Sequence, residues 1–192
     1  MSTKTTDREA IDVNSMFPQI SQMSDVSLRG KVEAVWQELW SESTWQSIHD
    51  LPTSGEIPYP AVPHSQCVLT MALSIADAFE THHGLRVDRD MLIAAAILQD
   101  ASKVVEYRPN ADAKAVHTDI GSTFPHGFWC AHVALKHGIP MSICHIMVTH
   151  SPGSAKFPES IEGKILYYVD QLDVIAIHKD RWKKHLMVQV QR

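Results

Sequence analysis

Residues 91–98 form an almost wholly apolar run, and this run ends at the polar pair Gln99-Asp100. Its length and composition predict a buried helix. An ionisable carboxylate at the buried end of such a helix is unfavourable unless a partner stabilises its charge. A metal ion is the simplest partner for Asp100, because further potential ligands occur elsewhere in the chain.

Four residues are candidates to share a site with Asp100, namely His64, His126, His150 and Asp170. Taken alone, each also suits a hydrogen-bonded or ion-paired core residue. If two aspartates shared a buried site without a metal, one of them would have to take up a proton. A divalent cation would keep both ionised, and neutral imidazoles would complete its ligand shell. The sequence therefore predicts a metal centre.

Composition limits the classes of protein and partner that the chain can represent. The 192 residues suffice for one domain with a substantial core. A net charge of −5 without a Lys/Arg cluster argues against a nucleic-acid surface. No apolar stretch approaches the roughly 18–20 residues of a membrane span, and the N-terminus does not resemble a signal peptide. Three cysteines without a C-x-x-C spacing favour buried thiols in a reducing cytoplasm.

Hydrophobic periodicity predicts an all-α fold. Residues 1–25 are polar and aperiodic, which predicts a mobile arm before a single helical domain over residues 26–192. The proline-rich stretch 51–63 and the small, polar stretch 108–125 predict loops. Helices are predicted from residue 27, over 63–81, from Asp88 through Lys103 to Tyr107, and near 126–137, 141–150 and 159–180.

Several blocks of the sequence together resemble the HD-domain superfamily of metal-dependent phosphohydrolases. Residues 98–103, Leu-Gln-Asp-Ala-Ser-Lys, are similar to the L-H-D-x-x-K motif of that family, with Gln99 in place of the signature histidine. The downstream blocks match in order at His126-Gly127, 138–140, 149–151 and 168–173. The resemblance covers roughly residues 60–180.

The resemblance implies an HD-domain-like helical bundle around a central metal site with one or two divalent ions, either Fe, Mn, Zn or Mg. The counterparts of one set of residues hold the first ion in the family: His64, Gln99, Asp100 and Asp170. The counterparts of a second set hold another ion in the two-metal members: Asp100, His126 and His150. An amide oxygen is a poorer ligand than imidazole for zinc or iron, so Gln99 predicts a weakened first site.

Three functions stay open at this stage. The first is a metal-dependent hydrolase of a small, anionic molecule, phosphohydrolase-like, in which Asp100 and Lys103 take part in catalysis. The second is a di-iron oxygenase acting on a small organic or organophosphonate substrate. The third is a binding protein that has lost catalysis. Lys156 and Gln171 are weaker candidates for substrate binding, and we expect a small-molecule partner, no nucleic acid, no membrane and a possible homodimer.

Overall fold

The computed structural model describes residues 8–112 and 114–178, and within them the fold is mostly helical. This confirms the predicted fold class, with one small hairpin added. The helices are α1 Val13–Met16, α2 Val26–Glu42, α3 Ala61–His83, α4 Arg89–Leu98, α5 Lys103–Glu106, α6 Asp119–Thr123, α7 Phe128–Lys136, α8 Met141–Thr149 and α9 Ile161–Ile177. Two 3₁₀ turns, Pro18–Gln22 and Ile48–Asp50, and two antiparallel strands, β1 Tyr107–Pro109 and β2 Ala115–His117, complete the elements.

Helix α4 lies in the middle of the bundle, where it packs against α2, α3, α8 and α9. Its residues from Leu92 to Leu98 are all buried, as expected for a helix that is apolar on every side. The Asp88 carboxylate accepts a hydrogen bond from the Met91 backbone N–H, so it caps the helix as predicted. Because α4 ends in the interior, Asp100 follows it into the core of the bundle.

The predicted continuation of α4 through Lys103 to Tyr107 is wrong. The helix ends at Leu98, a turn follows, and α5 is a separate short helix before β1. Side chains from neighbouring helices use the last carbonyls of α4: the Trp36 indole N–H donates to Ile97 O, and the Cys130 thiol donates to Leu98 O. These contacts are tertiary, which is why helical periodicity alone did not show the break.

The predicted loop over 108–125 is also wrong, because most of it forms a small hairpin and a short helix. The β1–β2 hairpin pairs Tyr107 with His117, and α6 follows it directly. The Thr118 side chain caps α6 by accepting a hydrogen bond from the Gly121 N–H. The strands are only three residues long, too short for an alternating pattern to stand out in the sequence.

The predicted mobile arm is wrong for its described part, residues 8–25. Phe17, Ile20 and Met23 are almost fully buried in the hydrophobic core, and α1 is capped by Asp12. Residues 1–7 of that arm lie outside the described residues, as do residues 179–192 of the predicted domain, including the end of the predicted helix 159–180. In the part of the chain that the structure describes, no helix is both long and apolar enough to cross a bilayer.

Candidate metal centre

Asp100 occupies the turn between α4 and α5, and its two carboxylate oxygens face different groups of histidines. Oδ2 lies 3.3 Å from His64 Nε2, and Oδ1 lies 3.0 Å from His126 Nε2 and 3.7 Å from His150 Nε2. The carboxylate is 4 % exposed. Asp100 is therefore the common member of two clusters of potential ligands, as the metal hypothesis requires.

The inner triad consists of His64, Asp100 and Asp170, all of them buried. His64 comes from the first turns of α3 and Asp170 from the middle of α9, two helices that pack along each other. His64 Nε2 lies 3.2 Å from Asp170 Oδ1, close to its separation from Asp100. A single nitrogen thus lies between two carboxylates.

The outer triad consists of Asp100, His126 and His150. His126 lies just before α7 and His150 just after α8, and their rings meet edge to face with centroids 5.1 Å apart. The His126 side chain is 30 % exposed, whereas that of His150 is 3 % exposed. The outer triad therefore faces the solvent side of the site.

Each of the three histidines is oriented by an acceptor on its other ring nitrogen. Nδ1 of His64 lies 2.6 Å from Asp173 Oδ2, and Nδ1 of His126 lies 2.7 Å from Glu106 Oε2. Nδ1 of His150 lies 2.6 Å from the Met147 carbonyl oxygen, which can only accept a hydrogen bond. If each Nδ1 carries the proton, the lone pairs of all three Nε2 atoms converge on Asp100. Histidines that bind metals show this arrangement.

The carboxylates and imidazoles strongly perturb each other's protonation. Burial lowers the pKa of His64, but hydrogen bonds to Asp100 and to Asp170 outweigh it and raise that pKa to about 11. Burial also lowers the pKa of His126, but the charges and hydrogen bonds of Glu106 and Asp100 together outweigh it and raise that pKa to about 9. Burial raises the pKa of Asp100, yet Lys103 and the imidazoles hold it well below its usual range. Without a metal, protons on His64 and His126 compensate part of the carboxylate charge.

The donor set fits a divalent cation in charge and in spacing. The site contains four buried carboxylates, those of Asp100, Glu106, Asp170 and Asp173, and one buried ammonium, that of Lys103. When the imidazoles are neutral, three negative charges are therefore uncompensated. Donor atoms that lie about 2.0–2.2 Å from one ion are separated by about 3.0–3.5 Å. The distances from Asp100 to His64 and His126, 3.3 and 3.0 Å, fall in that range, and the distance to His150, 3.7 Å, lies just above it.

Gln99 is fully buried, and neither its amide oxygen nor its amide nitrogen has a hydrogen-bond partner among the described residues. Buried amides are almost always paired, and an unpaired one is unfavourable. An oxygen without a partner next to Asp100 in the chain is available to an ion. Gln99 does not line the cavity described below, so its part in metal binding stays a prediction.

A cavity of about 440 Å³ opens onto both triads. Lys103 and Gln171, two of the predicted functional residues, line it. The Lys103 ammonium donates a hydrogen bond of 2.8 Å to Asp100 Oδ2, and the Gln171 amide donates one of 2.8 Å to Asp170 Oδ2. Lys156 does not line this cavity; it is exposed and borders a neighbouring one.

Sequence reasoning missed two buried carboxylates that orient the histidines. The Asp173 carboxylate lies on Nδ1 of His64, and its position one helical turn beyond Asp170 was the available signal. Glu106 accepts hydrogen bonds from the Ser102 hydroxyl and the Gly127 N–H in addition to its contact with His126. A glutamate that follows two valines at 104 and 105 was the only local indication of its burial.

Comparison with curated proteins gives a match to the dihydroneopterin 2′,3′-cyclic phosphate phosphodiesterase of Methanocaldococcus jannaschii. The two proteins are 31 % identical over 113 residues. The matched part covers 58 % of this chain and 45 % of that relative, so the chain matches less than half of the relative's length. No protein-family model matches the chain, and no solved structure matches it.

Proposed function

We propose that the chain is a metal-dependent phosphohydrolase of the HD-domain type, which acts on small phosphate esters and uses the two triads to hold its metal. The observation that carries this proposal is the orientation of His64, His126 and His150. Each has Nδ1 on an acceptor and turns Nε2 towards Asp100. The likeness to a phosphodiesterase supports phosphoester hydrolysis as the reaction.

A bound divalent ion would supply a hydroxide nucleophile at neutral pH and would draw electron density from a phosphoryl oxygen. The inner triad and the outer triad would hold one or two such ions, with Asp100 shared between them. Asp173 and Glu106 keep the imidazoles of His64 and His126 in the tautomer that can bind a metal. Gln171 fixes the orientation of Asp170 through its amide.

The charge of the site indicates why an anionic substrate would depend on the metal. A phosphate entering the cavity of the metal-free site would meet an excess of carboxylates, and metal ions would reverse that excess. Lys103 would add one positive charge beside Asp100. Ser54 lines the same cavity, and its oxygen accepts hydrogen bonds from the backbone N–H groups of Glu56 and Ile57. Among the described residues its hydroxyl donates to no acceptor, so it could donate to a phosphate oxygen.

The test combines metal analysis with a substrate panel. The protein is stripped with a chelator, reloaded separately with Zn²⁺, Mn²⁺, Mg²⁺ or Fe²⁺, and assayed on phosphate monoesters, linear phosphodiesters and 2′,3′-cyclic phosphates. We expect metal-dependent hydrolysis of at least one class and its loss in Asp100→Asn. Asp50→Asn serves as the matched control, because Asp50 is exposed in a 3₁₀ turn and does not line the cavity.

The same samples separate the other two functions. Consumption of oxygen by the iron-loaded protein with organophosphonates, without hydrolysis of any ester, would replace the proposal with an oxygenase. Metal binding without turnover of any substrate would favour a binding protein. Failure to bind any of the four ions would refute the metal centre itself.

A further inference from the structure

The wall of the cavity at the triads carries a tyrosine to which the proposed metal chemistry gives no part. Tyr107 begins β1 and lines the cavity together with Lys103, which lies one helical turn earlier in the chain. The Trp45 indole N–H donates a hydrogen bond of 2.9 Å to the Tyr107 carbonyl oxygen, which anchors the start of the strand. The backbone that carries this side chain is therefore fixed by the fold.

The Tyr107 ring is buried and held in one place by its neighbours. The ring of His117, its partner across the β1–β2 hairpin, lies against it with centroids 4.6 Å apart and 33° between the ring planes. Gly55 borders the edge of the ring, because a Cβ added to Gly55 would lie 3.6 Å from Tyr107 Cε1. A hydroxyl on a ring that is already held loses little freedom when a ligand binds to it.

The Tyr107 hydroxyl is accessible and has a proton to donate. Among the described residues no group accepts a hydrogen bond from it, and its oxygen is not one of the buried polar atoms that lack a partner. An oxygen that is neither paired nor buried is open to solvent. Since the tyrosine lines the cavity, a ligand in the cavity can reach this hydroxyl.

The charges of the site act on the same hydroxyl. Burial raises the pKa of Tyr107 above its ordinary value. The Lys103 ammonium opposes this rise, as does the Gly55 backbone N–H, while the carboxylates of Glu106 and Asp100 add to it. The hydroxyl therefore lies near the charged groups around Asp100, and it stays protonated at neutral pH, as a hydrogen-bond donor must.

Ser54 supplies a second hydroxyl on the same wall. It directly precedes Gly55, which borders the Tyr107 ring, and it lines the same cavity. The ionised carboxylates of the triads can only accept hydrogen bonds. Donors for a phosphate must therefore come from other groups, and hydrogen bonds to a charged oxygen are the strong ones. Tyr107, Ser54 and Lys103 are such donors.

We infer that Tyr107 binds the substrate, its hydroxyl donating a hydrogen bond to a phosphate oxygen that lies in the cavity beside Ser54 and Lys103. The inference rests on the proposed function, because it gives a place to the phosphate of that substrate. The phenol adds no charge to the site, so it contributes to the binding of the anion and leaves the binding of the metal unchanged.

Calorimetric titration with inorganic phosphate tests the inference without requiring turnover. Phosphate is titrated into the zinc-loaded protein, freed of excess zinc, and into the metal-free protein. In whichever form binds phosphate, Tyr107→Phe should weaken that binding by about tenfold or more, because a hydrogen bond to a charged acceptor is lost. Tyr168→Phe is the matched control: it removes the same atom from an exposed residue of α9 that does not line the cavity, and it should leave phosphate binding unchanged.

The zinc affinity of Tyr107→Phe separates binding of phosphate from binding of metal. It should equal that of the unaltered protein, and the melting temperature should also be unchanged, because Gly55 is exposed and its N–H can bind water instead. Weaker phosphate binding with unchanged zinc affinity supports the inference, even if no ester is hydrolysed and the proposed function fails.

Two results would overturn the inference and leave the proposed function intact. The first is equal phosphate affinity of Tyr107→Phe and the unaltered protein, or no phosphate binding by either form, while esters are still hydrolysed. The second is a loss of zinc affinity in Tyr107→Phe, which would assign the hydroxyl to the ion.

Discussion

Glu106→Gln should weaken metal binding at the outer triad without moving any ligand of that triad. Glu106 uses both oxygens: Oε2 faces His126 Nδ1 at 2.7 Å, and Oε1 accepts from the Ser102 hydroxyl and the Gly127 N–H at 2.5 and 3.3 Å. Glutamine has the same shape but only one oxygen. If its NH₂ group faces His126, the imidazole must accept at Nδ1 and carry its proton on Nε2, where the metal should bind. If it faces Gly127, two N–H donors oppose each other.

Either orientation of the glutamine amide at position 106 should lower the affinity of the outer triad for its ion. Removing such a partner of a metal-binding histidine typically lowers the affinity for the ion by about 10- to 100-fold. This factor corresponds to about 1.4–2.7 kcal/mol. The corresponding variant at the inner triad, Asp173→Asn, removes the carboxylate that orients His64 and should lower the metal affinity of that triad instead.

Calorimetric titration of the metal-free protein with Zn²⁺ in a competing chelator measures both effects. The sequence predicts that Gln99 weakens the inner site; if so, one ion should bind tightly in the outer triad and a second should enter only at excess zinc. Glu106→Gln should shift the tight step and Asp173→Asn the weak one, while Glu159→Gln, at an exposed loop position, shifts neither. The assignment of the tight ion to the outer triad would be refuted if both variants shifted the same binding step. It would also be refuted if Glu106→Gln shifted the weak step and Asp173→Asn the tight one.

Three further predictions concern the ion and its surroundings. Gln99→His should tighten the second step by about tenfold or more and leave two ions per chain after dialysis, because imidazole is the better ligand; elemental analysis that still finds one ion would show that position 99 does not reach the metal. Gly127→Ala should lower the free energy of unfolding in urea by about 1–3 kcal/mol, since its Cβ would lie 2.7 Å from the Met147 carbonyl oxygen at a φ of 80°. Gly30→Ala is the control, because the new Cβ would meet no atom of the described residues within 4 Å, and it should stabilise α2 by about 0.5–1 kcal/mol. Zinc at about 100 times its Kd should stabilise the protein by about 2.7 kcal/mol. Its affinity should fall from pH 8 to pH 6, because protons compete for the imidazoles. Thermal scans that give the same zinc affinity at both pH values would contradict this.

Local sequence signals were sufficient for most of the helical framework. The apolar run before Gln99 predicted the buried α4, and Asp88 predicted its cap. Gly84 ends α3 in the left-handed conformation, with φ of 64°, which a glycine adopts without strain. These features depend on residues a few positions apart, so they can be recognised without knowledge of the fold.

The order of the potential ligands along the chain likewise predicted which side chains would meet. The structure brings His64, Asp100 and Asp170 together, and His126 and His150 join them on the other side of Asp100. Their roles as metal ligands stay a prediction. Lys103 is buried and paired with Asp100, whereas the weaker candidate Lys156 does not line the cavity that opens onto the triads.

The chain's own order of residues determined that a carboxylate would enter the core at the end of α4; only the tertiary structure decided what surrounds it. The last carbonyls of α4 accept hydrogen bonds from Trp36 and Cys130, which reach them from other helices. Glu106 and Asp173 fix the imidazoles through contacts between elements that are distant in the chain. The cavity at the site likewise lies between such elements. Such contacts have no local period in sequence, because they arise only when whole helices pack.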